Sequence, residues 1–274
     1  MSFFESLYGL KGQVAVVTGG AGTLGEAMVH GLAGAGAKVA ILGRTLERAE
    51  RLAAEIETGG GEALPLRADV LQPEQLRKAR ELTLQRWGRL DILVNSAGGN
   101  LASATVSPEV SFFELPPADL EAVVDVNFHG TLRACQVFGK AIARQKSGCI
   151  INISSMAAQK PLTRVVGYAA AKAAVENLTH WLAAYLARNY SPALRVNAIA
   201  PGFFIAEQNR DLLLDEDGRP TLRGQAILAQ TPMARFGDPE ELVSTLLFLC
   251  GPGARFVNGV VVPVDGGFSA FGGV

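Results

Sequence analysis

The chain has 274 residues, of which 49% are hydrophobic and 19% are charged, and its formal net charge is -1 at pH 7. This balance argues against a nucleic-acid-binding or membrane-surface protein and indicates a folded domain with a large core. The spacing of Cys135, Cys149 and Cys250 fits neither a zinc site nor a disulfide framework, so we expect no metal site and a reducing compartment. The first residues lack a basic segment followed by an apolar one, and no apolar run approaches the ~18 residues of a membrane span. We therefore expect a soluble, cytoplasmic protein without nucleic-acid or membrane partners.

Seven short apolar runs alternate with helical patterns along the chain. The runs predict strands at 13–19, 38–42, 63–70, 90–98, 149–154, 194–202 and 259–267. Helical patterns lie between them at 22–36, 45–58, 73–87, 118–145, 163–190 and 239–250. Most runs are continuously apolar, as expected of parallel strands buried on both faces. The alternation predicts one α/β domain over residues 1–274, a doubly wound (Rossmann) seven-stranded parallel sheet with helices on both faces.

A glycine-rich turn, VVTGGAGTLGEAM, joins the first predicted strand to the first helix. Gly19, Gly22 and Gly25 let backbone N–H groups approach a pyrophosphate at the helix N-terminus, where the helix dipole favours anions. In this position the turn predicts a dinucleotide site. Thr23 and Leu24, inside the turn, are included among its cofactor-binding residues.

The end of the second strand indicates which cofactor binds. A carboxylate that holds a ribose 2′-hydroxyl is expected about 20 residues past the glycines. Gly43, Arg44 and Thr45 occupy that place instead. A missing carboxylate beside a guanidinium accommodates a 2′-phosphate, so the sequence favours NADP(H), with NAD(H) as the alternative. The other interpretation of Arg44 is a solvated residue at a helix start.

The ends of the third and fourth strands extend the predicted cofactor site. Asp69 and Val70 would flank the adenine, and Asn95, Ala97 and Gly98 would line the cofactor cleft. Ligands of open α/β sheets bind beyond the carboxyl ends of the strands, which is where these residues lie.

Two long connections also leave carboxyl ends of strands. Residues 99–117 follow the fourth strand, and residues 203–237 follow the sixth. Their position predicts that they form the substrate walls, with 203–237 as a lid. Loops without a role in binding, or contacts between subunits, are the alternative.

Ser155, Tyr168 and Lys172 form a pattern suited to proton transfer. Tyr168 and Lys172 are four residues apart, on one face of a predicted helix, and Ser155 lies thirteen residues before the tyrosine. A phenol titrates near pH ~10 in water, and a neighbouring ammonium favours its ionised form. For the tyrosine and lysine alone, a solvated helix face is the other interpretation.

The motifs together resemble the short-chain dehydrogenase/reductase family. TGGAGTLG, NSAG, DVNFHG, Ser155, YAAAK and NAIAPG stand in the family's order and spacing, over residues 10–267. The second half resembles the D-mannonate oxidoreductase (fructuronate reductase) group in NSAGGN, VNAIAPGFFIAEQNR and TPMARFG, and more loosely the gluconate 5-dehydrogenases. The resemblance implies an NAD(P)-dependent oxidoreductase of carbohydrate metabolism that acts on CH–OH groups. It also implies a homo-oligomer, a tetramer or dimer.

The resemblance assigns catalytic roles to four residues. Tyr168 would be the general acid in carbonyl reduction and the general base in alcohol oxidation. Lys172 would lower the pKa of the phenol and bind the nicotinamide ribose, and Tyr168 is also among the residues expected to bind the cofactor. Ser155 would hydrogen-bond the reacting oxygen, and Asn127 would position a water that relays protons toward Lys172.

Two residues depart from the family pattern. Thr23 stands where the middle glycine of the turn is expected. Ala206 stands where a threonine usually contacts the nicotinamide carboxamide, so we expect backbone groups to hold the carboxamide instead. The stretch expected to do so comprises Pro201, Gly202, Phe204 and Ile205.

The substrate is inferred from the polar residues of the two long connections. A sugar acid needs a cation for its carboxylate and amides for its hydroxyls. The predicted substrate contacts are Asn100, Ser155, Tyr168, Gln208, Asn209 and Arg210. The leading hypothesis is an NADP(H)-linked oxidoreductase of a keto sugar acid such as fructuronate. The alternatives are a reductase of another ketone, polyol or 3-oxoacyl substrate, and a nucleotide-sensing or scaffold protein on the same fold.

Overall fold

The computed structural model describes residues 2–207 and 209–273. Its strands are Val14–Thr18 (β1), Lys38–Gly43 (β2), Ala63–Arg67 (β3), Ile92–Asn95 (β4), Gly148–Ile153 (β5), Leu194–Pro201 (β6) and Val261–Val264 (β7). They pair in parallel in the order β3-β2-β1-β4-β5-β6-β7. The predicted seven-stranded parallel sheet is confirmed.

The helices cover both faces of this sheet, as predicted. They are Phe3–Tyr8 (α1), Thr23–Gly34 (α2), Leu46–Thr58 (α3), Pro73–Trp87 (α4), Pro117–Val124 (α5), Gly130–Gln145 (α6), Val166–Asn189 (α7), Arg210–Leu213 (α8), Leu222–Ala229 (α9) and Glu241–Cys250 (α10). Helices α2, α3 and α10 pack on one face, and α4, α6 and α7 pack on the other.

The two cores explain why the strands are apolar throughout. In β1, Ala15 and Val17 belong to the core under α2, α3 and α10, whereas Val14 and Val16 belong to the opposite core. All four are at most 1% exposed. A strand with helices on both sides therefore has no solvent face on which polar residues would alternate.

The sheet places a ligand crevice beside β1. The chain runs from β1 outward to β2 and β3, and then crosses back so that β4 pairs with the other side of β1. At this reversal the ends of the two strands are neighbours, with Thr18 opposite Asn95. Crevices at such switch points are where doubly wound sheets bind nucleotides.

The structure differs from the sequence-based elements in several places. Helix α1 was not predicted, β3 ends at Arg67 rather than at 70, and β7 is Val261–Val264 rather than 259–267. The helix predicted at 118–145 is α5 and α6 joined by a π-helical turn, Asp125–His129. The fourth strand ends at Asn95 rather than at 98, because the following residues turn into the crevice. The connection 203–237 contains two short helices, α8 and α9, that carry too few turns for a clear periodic pattern.

Two surface features bear on the remaining expectations. None of the helices in the described ranges has the length and apolar character needed to span a bilayer. On α7, the rings of Trp181 and Tyr185 stack with centroids 4.7 Å apart, and the Trp181 side chain is 58% exposed. This aromatic face is a candidate subunit contact, and the oligomer stays a prediction.

Candidate active site

Tyr168 and Lys172 lie one turn apart on α7, facing the end of β5. The Lys172 ammonium nitrogen is 5.5 Å from the centroid of the Tyr168 ring. It donates a hydrogen bond of 2.8 Å to the carbonyl of Ile153. Only 4% of Lys172 is exposed, and this burial lowers the pKa of the amine to about 8.

Ser155 completes this group at the end of β5. It caps a short 3-10 turn, and its hydroxyl accepts a hydrogen bond of 3.2 Å from the amide of Ala157. Burial raises the pKa of Tyr168, and a side-chain hydrogen bond with Ser155 partly opposes that shift. This raised pKa keeps the phenol protonated near neutral pH. The role expected for Lys172, to lower the phenol pKa, stays a prediction.

Asn127 connects the π-helical turn to the loop after β4. Its amide nitrogen donates to the carbonyls of Gly99 at 2.6 Å and Val123 at 2.8 Å, and its oxygen accepts from the Gly99 amide at 3.2 Å. A Cβ placed on Gly98 would lie 2.5 Å from the Asn127 oxygen and 3.3 Å from the Lys172 nitrogen. Asn127, Gly98 and Lys172 thus form one contact set. The predicted water-positioning role of Asn127 stays a prediction.

The glycine turn has the shape of a phosphate cradle. Gly19 has φ +65°, in the left-handed region that glycine favours, and a Cβ there would lie 2.8 Å from the Cα of Ala97. Helix α2 begins immediately after Gly22, which offers no side chain to cap the first N–H groups. These backbone donors and the helix dipole fit the pyrophosphate of a dinucleotide.

Thr23 occupies the first position of α2, where backbone angles are helical and a β-branched residue fits. A threonine in place of the family's middle glycine therefore requires no distortion of the turn. Its hydroxyl accepts a 3.4 Å hydrogen bond from the amide of Glu207, at the start of the 203–237 connection. The Glu207 carboxylate pairs with Arg48 of α3, with N–O distances of 2.9 and 3.2 Å. Thr23 and Arg48 thus tie the lid to the nucleotide half of the site.

The other predicted cofactor residues line the same edge of the sheet. Arg44 follows β2 and is exposed. Asp69 lies in the turn after β3, where its carboxylate accepts from the amide of Leu71 at 2.9 Å. Asn95 is buried and donates to Asn152 at 2.8 Å, while its oxygen has no partner among the described residues.

The stretch after β6 packs tightly where the nicotinamide is expected. A Cβ on Gly202 would lie 2.7 Å from the Cα of Asp265, and the ring of Phe204 is buried against Gly237. Pro201 is buried at the end of β6, and Ile205 is half-buried. The backbone here is held by neighbouring segments, as a contact to the carboxamide through main-chain groups requires.

The predicted substrate residues differ in how far their polar groups are already hydrogen-bonded within the protein. Asn100 donates to Thr105 at 2.8 Å, and its buried oxygen has no partner among the described residues. Asn209 instead bonds its own turn, accepting from the Ala206 amide at 2.7 Å and donating to the Phe204 carbonyl at 2.9 Å. Arg210 is exposed at the start of α8. Gln208 lies outside the described residues.

Sequence reasoning missed two residues near this site. Glu207 was not singled out, although its contacts to Thr23 and Arg48 join the lid to the nucleotide turn. Arg223 of α9 was also missed, and it lies against Thr163, shortly before α7. Both contacts join residues more than 50 positions apart in the sequence, so no local pattern predicts them.

Comparisons with known proteins agree with this geometry. A family model described as short chain dehydrogenase matches residues 13–217. The chain is 46% identical to an uncharacterised oxidoreductase, UxuB, of Bacillus subtilis (strain 168), over 97% of this chain and 98% of that protein.

Two solved structures are also similar along nearly the whole chain. One, from Haemophilus influenza with bound NAD, is provisionally assigned as a D-mannonate oxidoreductase. It is 41% identical, with a TM-score of 0.92 and coverage of 99% of this chain and 100% of that chain. The other is a gluconate 5-dehydrogenase from Burkholderia cenocepacia J2315 in complex with NADP and tartrate. It is 32% identical, with a TM-score of 0.87 and coverage of 98% and 99%.

Proposed function

The chain belongs to the short-chain dehydrogenase family, and on that premise we propose that it is an oxidoreductase of keto sugar acids, of the fructuronate/mannonate kind. The observation that carries the reaction class is the group formed by Ser155, Tyr168 and Lys172 at the crevice. The substrate class is supported by the similarity to proteins assigned to mannonate and gluconate.

The proposed reaction is a reversible carbonyl–alcohol interconversion. A bound nicotinamide would supply or accept the hydride. In reduction, the hydroxyls of Ser155 and Tyr168 donate hydrogen bonds to the substrate carbonyl oxygen. As negative charge develops on that oxygen, the Tyr168 phenol transfers its proton to it and gives the alcohol. The buried Lys172 ammonium then stabilises the phenolate and can return a proton.

The raised pKa of Tyr168 fits the reductive direction, because a protonated phenol is the form that acts as an acid. In the reverse direction the same residue must be deprotonated to remove the alcohol proton. Oxidation is therefore expected to accelerate as pH rises above neutrality, whereas reduction is not.

We further propose that NADP(H) is preferred and NAD(H) is accepted. Gly43, at the end of β2, supplies no carboxylate to repel a 2′-phosphate, and the next residue is the exposed Arg44. The similar structure with bound NAD supports acceptance of the unphosphorylated cofactor. The double substitution Gly43→Asp with Arg44→Ile is expected to reverse the preference, measured as the ratio of kcat/KM for the two cofactors.

A turnover panel tests the proposed function. It compares NADPH and NADH with fructuronate, other keto sugar acids, apolar ketones and 3-oxoacyl thioesters, with Tyr168→Phe as the inactive reference. The highest kcat/KM is expected with a keto sugar acid. Turnover of only an apolar ketone or a 3-oxoacyl thioester would overturn the substrate class, and cofactor binding without any turnover would favour the non-enzymatic alternative.

A further inference from the structure

Two arginines from different segments lie together beside the catalytic helix. Arg223, on lid helix α9, donates a 3.3 Å hydrogen bond to the hydroxyl of Thr163. Arg164 is the next residue along the chain, four residues before Tyr168. The lid and the segment that leads into α7 therefore meet five residues before Tyr168 in the sequence.

The connection after β4, residues 99–117, contacts the same segment before α7. The amide of Val106 donates a 2.9 Å hydrogen bond to the carbonyl of Arg164. A Cβ on Gly167 would lie 3.0 Å from the Leu120 side chain, so the start of α7 also packs on α5. Three walls of the substrate region, 99–117, the segment before α7 and the lid, thus converge at Arg164.

The charge at this junction is uncompensated. Among residues 2–207 and 209–273, neither Arg164 nor Arg223 forms an ion pair with a carboxylate. Both residues are half-buried. Burial, and then the charge of Arg164, lowers the pKa of Arg223. Two partly desolvated like charges are unfavourable unless an anion joins them.

We propose that Arg164 and Arg223 together bind the carboxylate of the substrate, with Thr163 holding the Arg223 guanidinium in place. The planar fork of a guanidinium matches a carboxylate with two parallel hydrogen bonds. Because Arg223 belongs to the lid and Arg164 to the body, a bound carboxylate would also hold the lid closed. This inference rests on the proposed function, and it places the substrate cation at this pair rather than at the exposed Arg210.

The test compares substrates that differ only in the carboxylate. Fructuronate and fructose share a carbon skeleton, and the carboxylate of one is a hydroxymethyl group in the other. Arg164→Gln and Arg223→Gln are each expected to lower kcat/KM for fructuronate by ~100-fold, mainly through KM, as expected for a lost charge-assisted pair. Turnover of fructose should change by less than about twofold, since no carboxylate contact is lost. Arg223→Lys should restore part of the loss, and Arg219→Gln, an exposed lid arginine, is the matched control.

A binding measurement distinguishes failure of this inference from failure of the proposed function. Malonate has two carboxylates and no alcohol, so it reports the anion site without turnover. Calorimetry on the cofactor-bound protein should show millimolar binding that Arg164→Gln and Arg223→Gln each weaken. If that holds while no sugar acid is turned over, the anion site stands and the proposed substrate is wrong.

Three outcomes would overturn the anion site. In the first, fructuronate turnover and malonate binding are insensitive to both variants. In the second, the wild type does not bind malonate. In the third, Arg210→Gln abolishes the carboxylate preference while the two variants leave it intact. Thermal melting of each variant, together with fructose turnover, shows that the protein still folds.

Discussion

The catalytic group and the lid are built in different ways. Asn127 and Lys172 are buried, and each is fixed by hydrogen bonds to backbone carbonyls of the sheet and its loops. The lid is attached at its start through Arg48 and Glu207, whose side chains are 52% and 73% exposed. The proposed reaction therefore depends on a preorganised interior, whereas the proposed choice of substrate depends on a segment that is attached through exposed side chains.

This difference follows from what each region must do. Proton transfer requires the donor, the substrate oxygen and the hydride to be aligned closely, which only packed elements can ensure. A substrate must also enter and leave, so we expect its walls to move more than the packed interior. Substitutions in the two regions should accordingly produce effects of different size and kind.

The largest effect is expected at Tyr168. Tyr168→Phe removes the acid and leaves the ring, so kcat should fall by about 10³-fold, within the range of general acid–base catalysis. Cofactor affinity, measured by fluorescence titration, should change little. Tyr8→Phe, on α1, is the control. If Tyr168→Phe retained more than about a tenth of the wild-type activity, the effect would be that of a peripheral group, and Tyr168 would not be the general acid.

The next largest effect, on stability, is expected at the buried Asn127. Asn127→Leu leaves the carbonyls of Gly99 and Val123 without their side-chain donor, and it should lower the free energy of unfolding by about 3 kcal/mol. Urea denaturation measures this change. The matched control is Asn189→Leu, because Asn189 makes a comparable bond to a helix carbonyl but is exposed. Equal losses of unfolding free energy in the two variants would show that the buried hydrogen bonds of Asn127 stabilise the protein no more than an exposed one does.

The third prediction uses the pH dependence that buried Lys172 imposes. Burial lowers its pKa from 10.5 to about 8 in the folded protein, so between these values the unfolded chain binds more protons. The wild type should therefore gain stability relative to Lys172→Met as pH rises from 7 to 10, by about 2 kcal/mol. Denaturation of the cofactor-free proteins measures this difference in unfolding free energy, with Lys140→Met on the surface of α6 as reference. A difference that stays constant with pH would show that the Lys172 amine is solvated.

The smallest effect is expected at the lid attachment. Arg48→Gln removes an exposed ion pair, and such pairs contribute little and are screened by salt. The KM for the cofactor should rise by only about twofold to threefold at low salt, and the difference should vanish at high salt. Arg77→Gln, which breaks an exposed pair on α4, is the control. A loss as large as that of Tyr168→Phe would place the lid attachment within the catalytic machinery.

Most of the fold could be predicted because its signals are local. The predicted helix at 73–87 coincides with α4, where Pro73 occupies the first turn and Gly88 ends the helix in the left-handed region. The continuous apolar runs identified parallel strands for the same reason, since each strand is buried on both faces. The π-helical turn around Asn127 was not predicted, because one widened turn hardly changes the apolar periodicity of a long helix.

The sequence by itself predicted the sheet, the nucleotide turn and the group of Ser155, Tyr168 and Lys172, because each is encoded by residues that are close together in the sequence. Only the tertiary structure decided which side chains oppose one another across the site. It buried Lys172 beneath the loop that Asn127 holds, tied Glu207 to Thr23 and Arg48, and brought Arg223 against Thr163, the residue before Arg164. These contacts join segments distant in sequence, and their burial and charge are set by packing rather than by local pattern.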